Sequence, residues 1–335
     1  MKDLIESFTQ AYGPSGHEDQ VREVIRAAVA DHCDRTTVDA LGNLIAFRAG
    51  SGESSNRRRV MLAGHMDEIG LIVTHLDEQG FLRFANVGGV SPHVLLGQRV
   101  VFGDGTTGSI GSERVDEIKD LKLDKMFIDI GALSRDEARE KVEVGDMATY
   151  QRQLSELGTR LSAKAMDDRV GCAVMVEALR RLQNSPHDIY AVFTTQEEVG
   201  LRGARTSAYG IDPEFGLAFD VTGVGDTPKI NNNLNMKLGA GAAIKVKDAS
   251  VVVPPRVKDL LVKTARDNGI SYQLEVLVAG GTDTASIQLT RSGVPAGCIS
   301  VPTRYIHTPV ETLELADVEA SVQLTVKVLE GPIEV

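Results

Sequence analysis

The sequence predicts an α/β fold, with a mixed central sheet, helices on both faces and a small β-barrel-like insertion. Three observations predict it. Apolar runs of strand length alternate with helix-spaced patterns up to about residue 69 and again from residue 161. Between residues 70 and 160 short β-branched runs are instead broken by glycine turns. At 335 residues the chain also exceeds the usual size of a single domain. The expected layout is one domain from residues 1–69 and 161–335, with residues 70–160 inserted as a second.

Taken in order, Ser15 and Glu18 have the spacing of a capping box, and Val21, Val24, Ile25, Ala28 and Val29 follow at helical period. NLIAFR (43–48) and RVMLA (59–63) read as strands, the second preceded by the loop GSGESSNRRR. The insertion supplies LIVTHLDEQGFLRF, RVVFGDGTTGSIGS, KMFIDIGA and KVEVGDMATY, with only DEAREKV suggesting a brief helix. Residues 169–182 form an apolar helix that turns polar at Glu177, Arg180 and Arg181. Strands follow at 188–195 and 215–219, then a helix over 255–268 with Pro255 near its start and Gly269 past its end. AGCISV (296–301) is a further strand and residues 316–329 the last helix.

Composition narrows the function. A 42% hydrophobic fraction suffices for a sizeable core. No stretch approaches the roughly 20 apolar residues of a membrane span, and MKDLIESFTQ lacks the apolar block of a secretory leader. Three scattered cysteines, Cys33, Cys172 and Cys298, fit a reducing cytoplasm and argue against a disulfide framework and a thiolate metal site. A formal charge of −11 disfavours nucleic acid as a partner.

In open α/β sheets, ligands bind beyond the carboxyl ends of the strands. Five element ends deliver a carboxylate or an imidazole there. VMLA leads to His65 and Asp67, AVFTT to Glu197 and Glu198, GLAF to Asp220, and AGCISV to His307; Asp167 and Asp168 precede the 169–182 helix. Each piece alone has a common structural use, such as a helix cap for the paired aspartates or a solvated surface for the paired glutamates. Together they suit two divalent cations, Zn²⁺, Co²⁺ or Mn²⁺, bridged by one carboxylate. One of the adjacent glutamates can then be a ligand and the other a general base, since neighbours on an extended stretch face opposite ways. His17, His32, His75, His93 and His187 have no such company.

At these residues the chain resembles the tetrahedral aminopeptidases, family forty-two of the metallopeptidases, some of which are labelled glutamyl or deblocking aminopeptidase or endoglucanase-like protein. The matching segments are YGPSGHE (12–18), AGHMDEIG (63–70), KAMDDRVG (164–171), TTQEEVGLRGA (194–204), FDVT (219–222), GGTDTAS (280–286) and PTRYIHTPVE (302–311). The resemblance implies Asp167 as the bridging ligand, His65 and Asp220 completing one metal, and Glu198 and His307 the other. It implies Glu197 as general base, Asp67 holding the other N–H of His65, and Asp283 on a substrate-side loop that could equally be a plain turn. It further implies that the inserted domain mediates dimer contacts and that six dimers form a hollow dodecamer.

The leading expectation is a dinuclear aminopeptidase that removes N-terminal residues from peptides, with a metal-bridging water as nucleophile. A deacylase or carboxypeptidase could use the same ligands, and a non-catalytic assembly protein could retain a relict site. An endoglucanase-type glycosidase is opposed by the histidines and by a chain without tryptophan and only 4% aromatic.

Overall fold

The computed structural model describes residues 1–53, 57–229 and 235–335. The chain opens with α1 (Lys2–Gln10) and α2 (Asp19–Val29), then β1 (Arg35–Val38), β2 (Leu44–Arg48) and β3 (Arg59–His65). The loop expected before β3 includes residues 54–56, which lie outside the described residues. β4 (Gly70–Leu76), β5 (Leu82–Val87), α3 (Pro92–Leu95), β6 (Arg99–Phe102), β7 (Thr107–Ser112), β8 (Met126–Asp129), α4 (Arg135–Arg139) and β9 (Met147–Tyr150) follow. The chain then runs through β10 (Ser155–Leu157), β11 (Arg160–Ala163), α5 (Met166–Arg181), β12 (Asp188–Thr194), α6 (Arg202–Ile211) and β13 (Phe215–Gly223). It finishes with β14 (Ala242–Lys247), α7 (Pro255–Asp267), β15 (Tyr272–Val276), α8 (Asp283–Gln288), β16 (Ala296–Arg304), β17 (Glu311–Glu314) and α9 (Leu315–Glu330).

An eleven-stranded mixed sheet runs β1-β2-β12-β3-β13-β16-β17-β11-β10, with β14 joined to β16 and β15 to β14. Its centre, β12-β3-β13-β16, is parallel. These strands are almost continuously apolar because both of their faces are covered. Val60 and Leu62 of β3 pack into the large core with residues of α1, α2, α5, α7 and α9, whereas Met61 and Ala63 face Ala208 of α6 and Ile287 of α8.

β4-β5-β8-β7-β6-β9 close into a barrel. It has its own core, which includes Val73, Phe84, Val100, Phe102, Ile110 and Ile128. β10 pairs with β11, and β11 with β17, so residues 155–157 belong to the large sheet. At the seam, Tyr12 Oη donates to the Met147 carbonyl at 2.9 Å, and Thr149 Oγ1 donates to Glu68 Oε2 at 2.5 Å. Lys164 Nζ reaches both oxygens of Glu68 at 2.7 Å, so a buried ion pair completes the joint.

Two local expectations need correction. α2 forms, but without the capping box, because Ser15 Oγ donates to Asp67 Oδ2 and Glu18 Oε1 accepts from the backbone N–H groups of Gly16 and Gln196. GGTDTAS is not a plain turn, since α8 begins at Asp283. Among the described residues no helix is long and apolar enough to cross a membrane.

Candidate metal centre

The carboxyl ends of the parallel strands converge with the start of α5. β3 ends on His65, and β12 stops at Thr194, just before Glu197 and Glu198. β13 pairs with β3 only as far as Ala218, which leaves Asp220 two residues past that last pair. His307 follows β16 in a loop, at φ 63°. Asp167 and Asp168, the second and third residues of α5, have non-helical φ/ψ, so the helix proper starts after them.

These side chains meet in two groups that share one residue. His65, Asp167 and Asp220 each offer a ligand atom within 4.8 Å of the others, and so do Asp167, Glu198 and His307. His65 Nε2 lies 3.0 Å from Asp167 Oδ1 and 3.9 Å from Glu197 Oε2. His307 Nε2 lies 3.4 Å from Asp167 Oδ2 and 3.3 Å from Glu198 Oε1. One carboxylate thus faces both imidazoles, and the two glutamates face different ones. The extended-strand reason for that divergence fails, because residues 195–200 form a bend and a turn, with Gln196 left-handed at φ 54°.

The electrostatics are unbalanced without cations. Burial pushes the Glu197 carboxyl well above its ordinary range, and Asp283, Glu198 and Asp67 push it further. Burial and the neighbouring Asp167 and Asp168 do the same to Asp220. Asp167 is held low, burial being outweighed by its bonds to both imidazoles. Burial likewise opposes protonation of His307, yet Asp167 and Glu198 raise its pKa to about 11. Four carboxylates therefore crowd two imidazoles, and no lysine or arginine among the described residues pairs with any of the four. Histidine and carboxylate donors without cysteine fit divalent cations, whose charge would offset this repulsion and displace the imidazole protons.

The supporting residues divide their labour. His65 Nδ1 bonds the Asp67 backbone carbonyl at 3.0 Å, with the Asp67 carboxylate farther off at 3.5 Å. That carboxylate instead accepts from the backbone N–H of Glu197 at 2.9 Å and of Glu198 at 3.2 Å, fixing the turn that carries both. Asp168 behaves as a helix cap, accepting from the N–H of Gly171 at 3.0 Å and of His65 at 3.2 Å. Asp283 is buried at the start of α8, accepting from Thr194 Oγ1 at 2.6 Å, and its neighbour Thr282 lines the cavity. None of the other five histidines joins either group.

Sequence reasoning missed Glu311. Its two oxygens accept from the backbone N–H groups of Asp167 at 3.0 Å and His307 at 2.7 Å, tying the shared carboxylate to the distant histidine. The signal was its place four residues after His307 in HTPVE, where a buried carboxylate closes the loop on itself. A cavity of about 360 Å³ opens over Asp167, Glu197, Glu198, Asp220 and His307.

Known proteins resemble this chain along nearly its whole length. The chain is 35% identical to the lysyl aminopeptidase of Pyrococcus furiosus, covering 98% of this chain and 96% of that one. An aminopeptidase structure from the archaeon Desulfurococcus kamchatkensis superposes with a TM-score of 0.94 at 41% identity, covering 98% of this chain and 94% of that one. The Pyrococcus horikoshii TET1 peptidase, described as able to assemble into a tetrahedron or a large octahedral shell, gives 0.87 at 34% identity, covering 98% of each chain. The model of the M42 glutamyl aminopeptidases matches residues 42–324, and the chain belongs to that family of peptidases.

Proposed function

We propose that the protein is a dinuclear aminopeptidase that releases N-terminal residues from peptides. The observation that carries this reading is the pair of ligand groups sharing Asp167. Zn²⁺, Co²⁺ or Mn²⁺ bound there would anchor the free α-amine, polarise the scissile carbonyl and bring the pKa of the attacking water down to about 7. His65 and Asp220 hold one position, Glu198 and His307 the other, and Asp167 both. Glu197, beside His65 but in neither group, is the general base. It takes a proton from the water and returns it to the leaving amine. Asp67 sets its position through the backbone N–H of Glu197.

The barrel, running from β4 to β9 within residues 70–160, is the inserted domain in this reading and carries the dimer contacts. Leu96, Ile118, Leu133 and Val144 leave apolar side chains exposed there. Six dimers then make a tetrahedral dodecamer in the cytoplasm.

Glu197→Gln should lower kcat by about 10²–10⁴-fold while metal content and affinity stay at native values. Turnover near the native rate with both cations bound would remove Glu197 from the role. A free-amine peptide and its N-acetylated twin decide between aminopeptidase and deacylase, because only the first should be cleaved. Hydrolysis of cellulose oligomers that survives chelation would instead revive the glycosidase reading.

A further inference from the structure

The turn that carries Glu197 and Glu198 lies between β12 and α6 and bonds to neither through its leading donors. Among the described residues, three consecutive N–H groups of this turn donate to side-chain carboxylates instead. Glu197 donates to Asp67 Oδ1 at 2.9 Å and Glu198 to Asp67 Oδ2 at 3.2 Å. Gln196 donates to Glu18 Oε1 at 3.1 Å.

Residues 12–18, YGPSGHE, supply this second support from outside the ligand groups. The segment lies along the residues that follow β3. Pro14 bridges Glu68 in parallel, and the N–H of Glu68 donates to the Gly13 carbonyl at 3.0 Å. From the segment, Ser15 Oγ donates to Asp67 Oδ2 at 2.6 Å and so fixes the carboxylate that takes the other two N–H groups. Glu18 Oε1 also accepts from the N–H of Gly16 at 2.7 Å, which sets its own position. Ser15, Glu18 and Asp67 are all buried.

Gln196 is the residue that needs this support. Its φ of 54° is left-handed, a conformation that a residue other than glycine keeps where its surroundings impose it. Thr195 before it is anchored, its N–H donating to Asn43 Oδ1 at 2.9 Å. Rotation of the peptide between Thr195 and Gln196 would therefore swing Glu197 directly, moving its Oε2 from the place 3.9 Å from His65 Nε2.

We infer that Glu18 is a positioning residue for the general base, setting through the Gln196 N–H the turn that aims Glu197 at His65. This inference rests on the aminopeptidase reading. Loss of Glu18 frees the peptide that leads into Glu197, while Asp67 still holds the N–H of the ligand Glu198.

The test compares Glu18→Ala and Glu18→Gln with the native chain in two measurements. The first is amide hydrogen exchange of the metal-free protein, resolved by residue. The Gln196 amide should be protected in the native chain and lose that protection in Glu18→Ala. Glu18→Gln should keep it, because a carboxamide oxygen accepts the same bond. The second is turnover, at saturating metal, of whichever of leucyl, lysyl and glutamyl p-nitroanilide the native enzyme cleaves fastest. Glu18→Ala should lose about 10–100-fold in kcat with KM unchanged, the cost of a slightly misplaced catalytic group. Glu18→Gln should recover most of that loss. If Glu18→Ala does not fold, Glu18→Asp should show both losses, since it keeps the charge on an arm one methylene shorter. Native kcat in the variant without the bond, or an equal loss in Glu18→Gln, overturns the inference and leaves the aminopeptidase reading in place. Failure of the native chain to cleave any of the three substrates overturns that reading, and this inference with it.

Discussion

Two buried glutamates near the centre show how a carboxylate's partners decide what its loss would do. Glu311 spends one oxygen on the N–H of His307 and the other on that of Asp167. In Glu311→Gln one of those N–H groups would face an amide NH₂, so one ligand is released from its support. Cation titration of stripped enzyme should show affinity reduced by about 10–100-fold, and native affinity in that variant would show that Glu311 positions neither ligand. Glu18 differs, because both of its N–H donors, from Gly16 and Gln196, bond the same oxygen, which a glutamine retains. Burial, with Asp67 nearby, raises its pKa from 4.5 to about 7. The folded state thus binds that proton more tightly than the unfolded one. The stabilisation is complete below about pH 4.5 and is lost as the pH rises through about 7. Glu18→Gln should match the native chain near pH 4 and exceed it by roughly 1–3 kcal/mol at pH 8. Denaturation at the two pH values checks this, and a constant difference between them would contradict it. His65, Asp167, Glu198, Asp220 and His307 were legible in the sequence because each follows or opens a recognisable apolar run. Glu311 was missed, because its bonds go to backbone atoms and only its place four residues after His307 hinted at them.

At the scale of elements, the strands with both faces covered announced themselves and the small-residue helices did not. DIYAVF and AGCISV are apolar runs that only a doubly covered strand explains. α6 buries Gly203, Ala204, Ser207 and Ala208, a face with too little apolar bulk to register as a helical stripe. β15 is an edge strand that buries only Glu275, and α8 has just 6 residues, so neither carries a readable period. The loop after β5 matters more than its composition suggests. A side chain on Gly89 would place its Cβ 2.4 Å from His307 Nδ1, and one on Gly88 3.1 Å from Glu198 Oε2. This loop therefore lies against His307 and Glu198 of the second ligand group. Gly89→Ala should weaken cation binding by Asp167, Glu198 and His307 while sparing His65, Asp167 and Asp220. Calorimetric titration should then resolve two unequal steps where the native enzyme binds more tightly, and equal weakening of both would argue against selective contact.

The whole molecule is a barrel set into a sheet, and the joint is also the foundation of the centre. Glycine turns between short β-branched runs made the insertion legible. Which strands close the barrel was not, because that depends on β4 meeting β9 across a long separation, Leu71 opposite Ala148. Glu68, three residues after His65, takes bonds from Thr149 of the barrel, from Lys164 just before α5, and from the fully buried Arg169 within it. Arg169 in turn donates to the Phe8 and Ala11 carbonyls behind α1. One carboxylate thus ties barrel, N-terminal helix and the start of α5 into a single unit, and Asp167 sits on that unit. Removing one partner of a buried pair costs about 3–5 kcal/mol, chiefly because the other charge is left unpaired. Lys164→Met should lose part of that stability in denaturant unfolding, since Glu68 keeps its pair with Arg169. It should lower metal affinity as well, since the segment that carries Asp167 loses its anchor. Adding Glu68→Leu should not restore the stability, because the fully buried Arg169 then loses its own carboxylate partner. The metal affinity should stay low in the double variant, since the bonds to Thr149 and Arg169 are gone with the glutamate. Recovery of both properties together would mean that the pair serves packing alone and does not hold the centre in place.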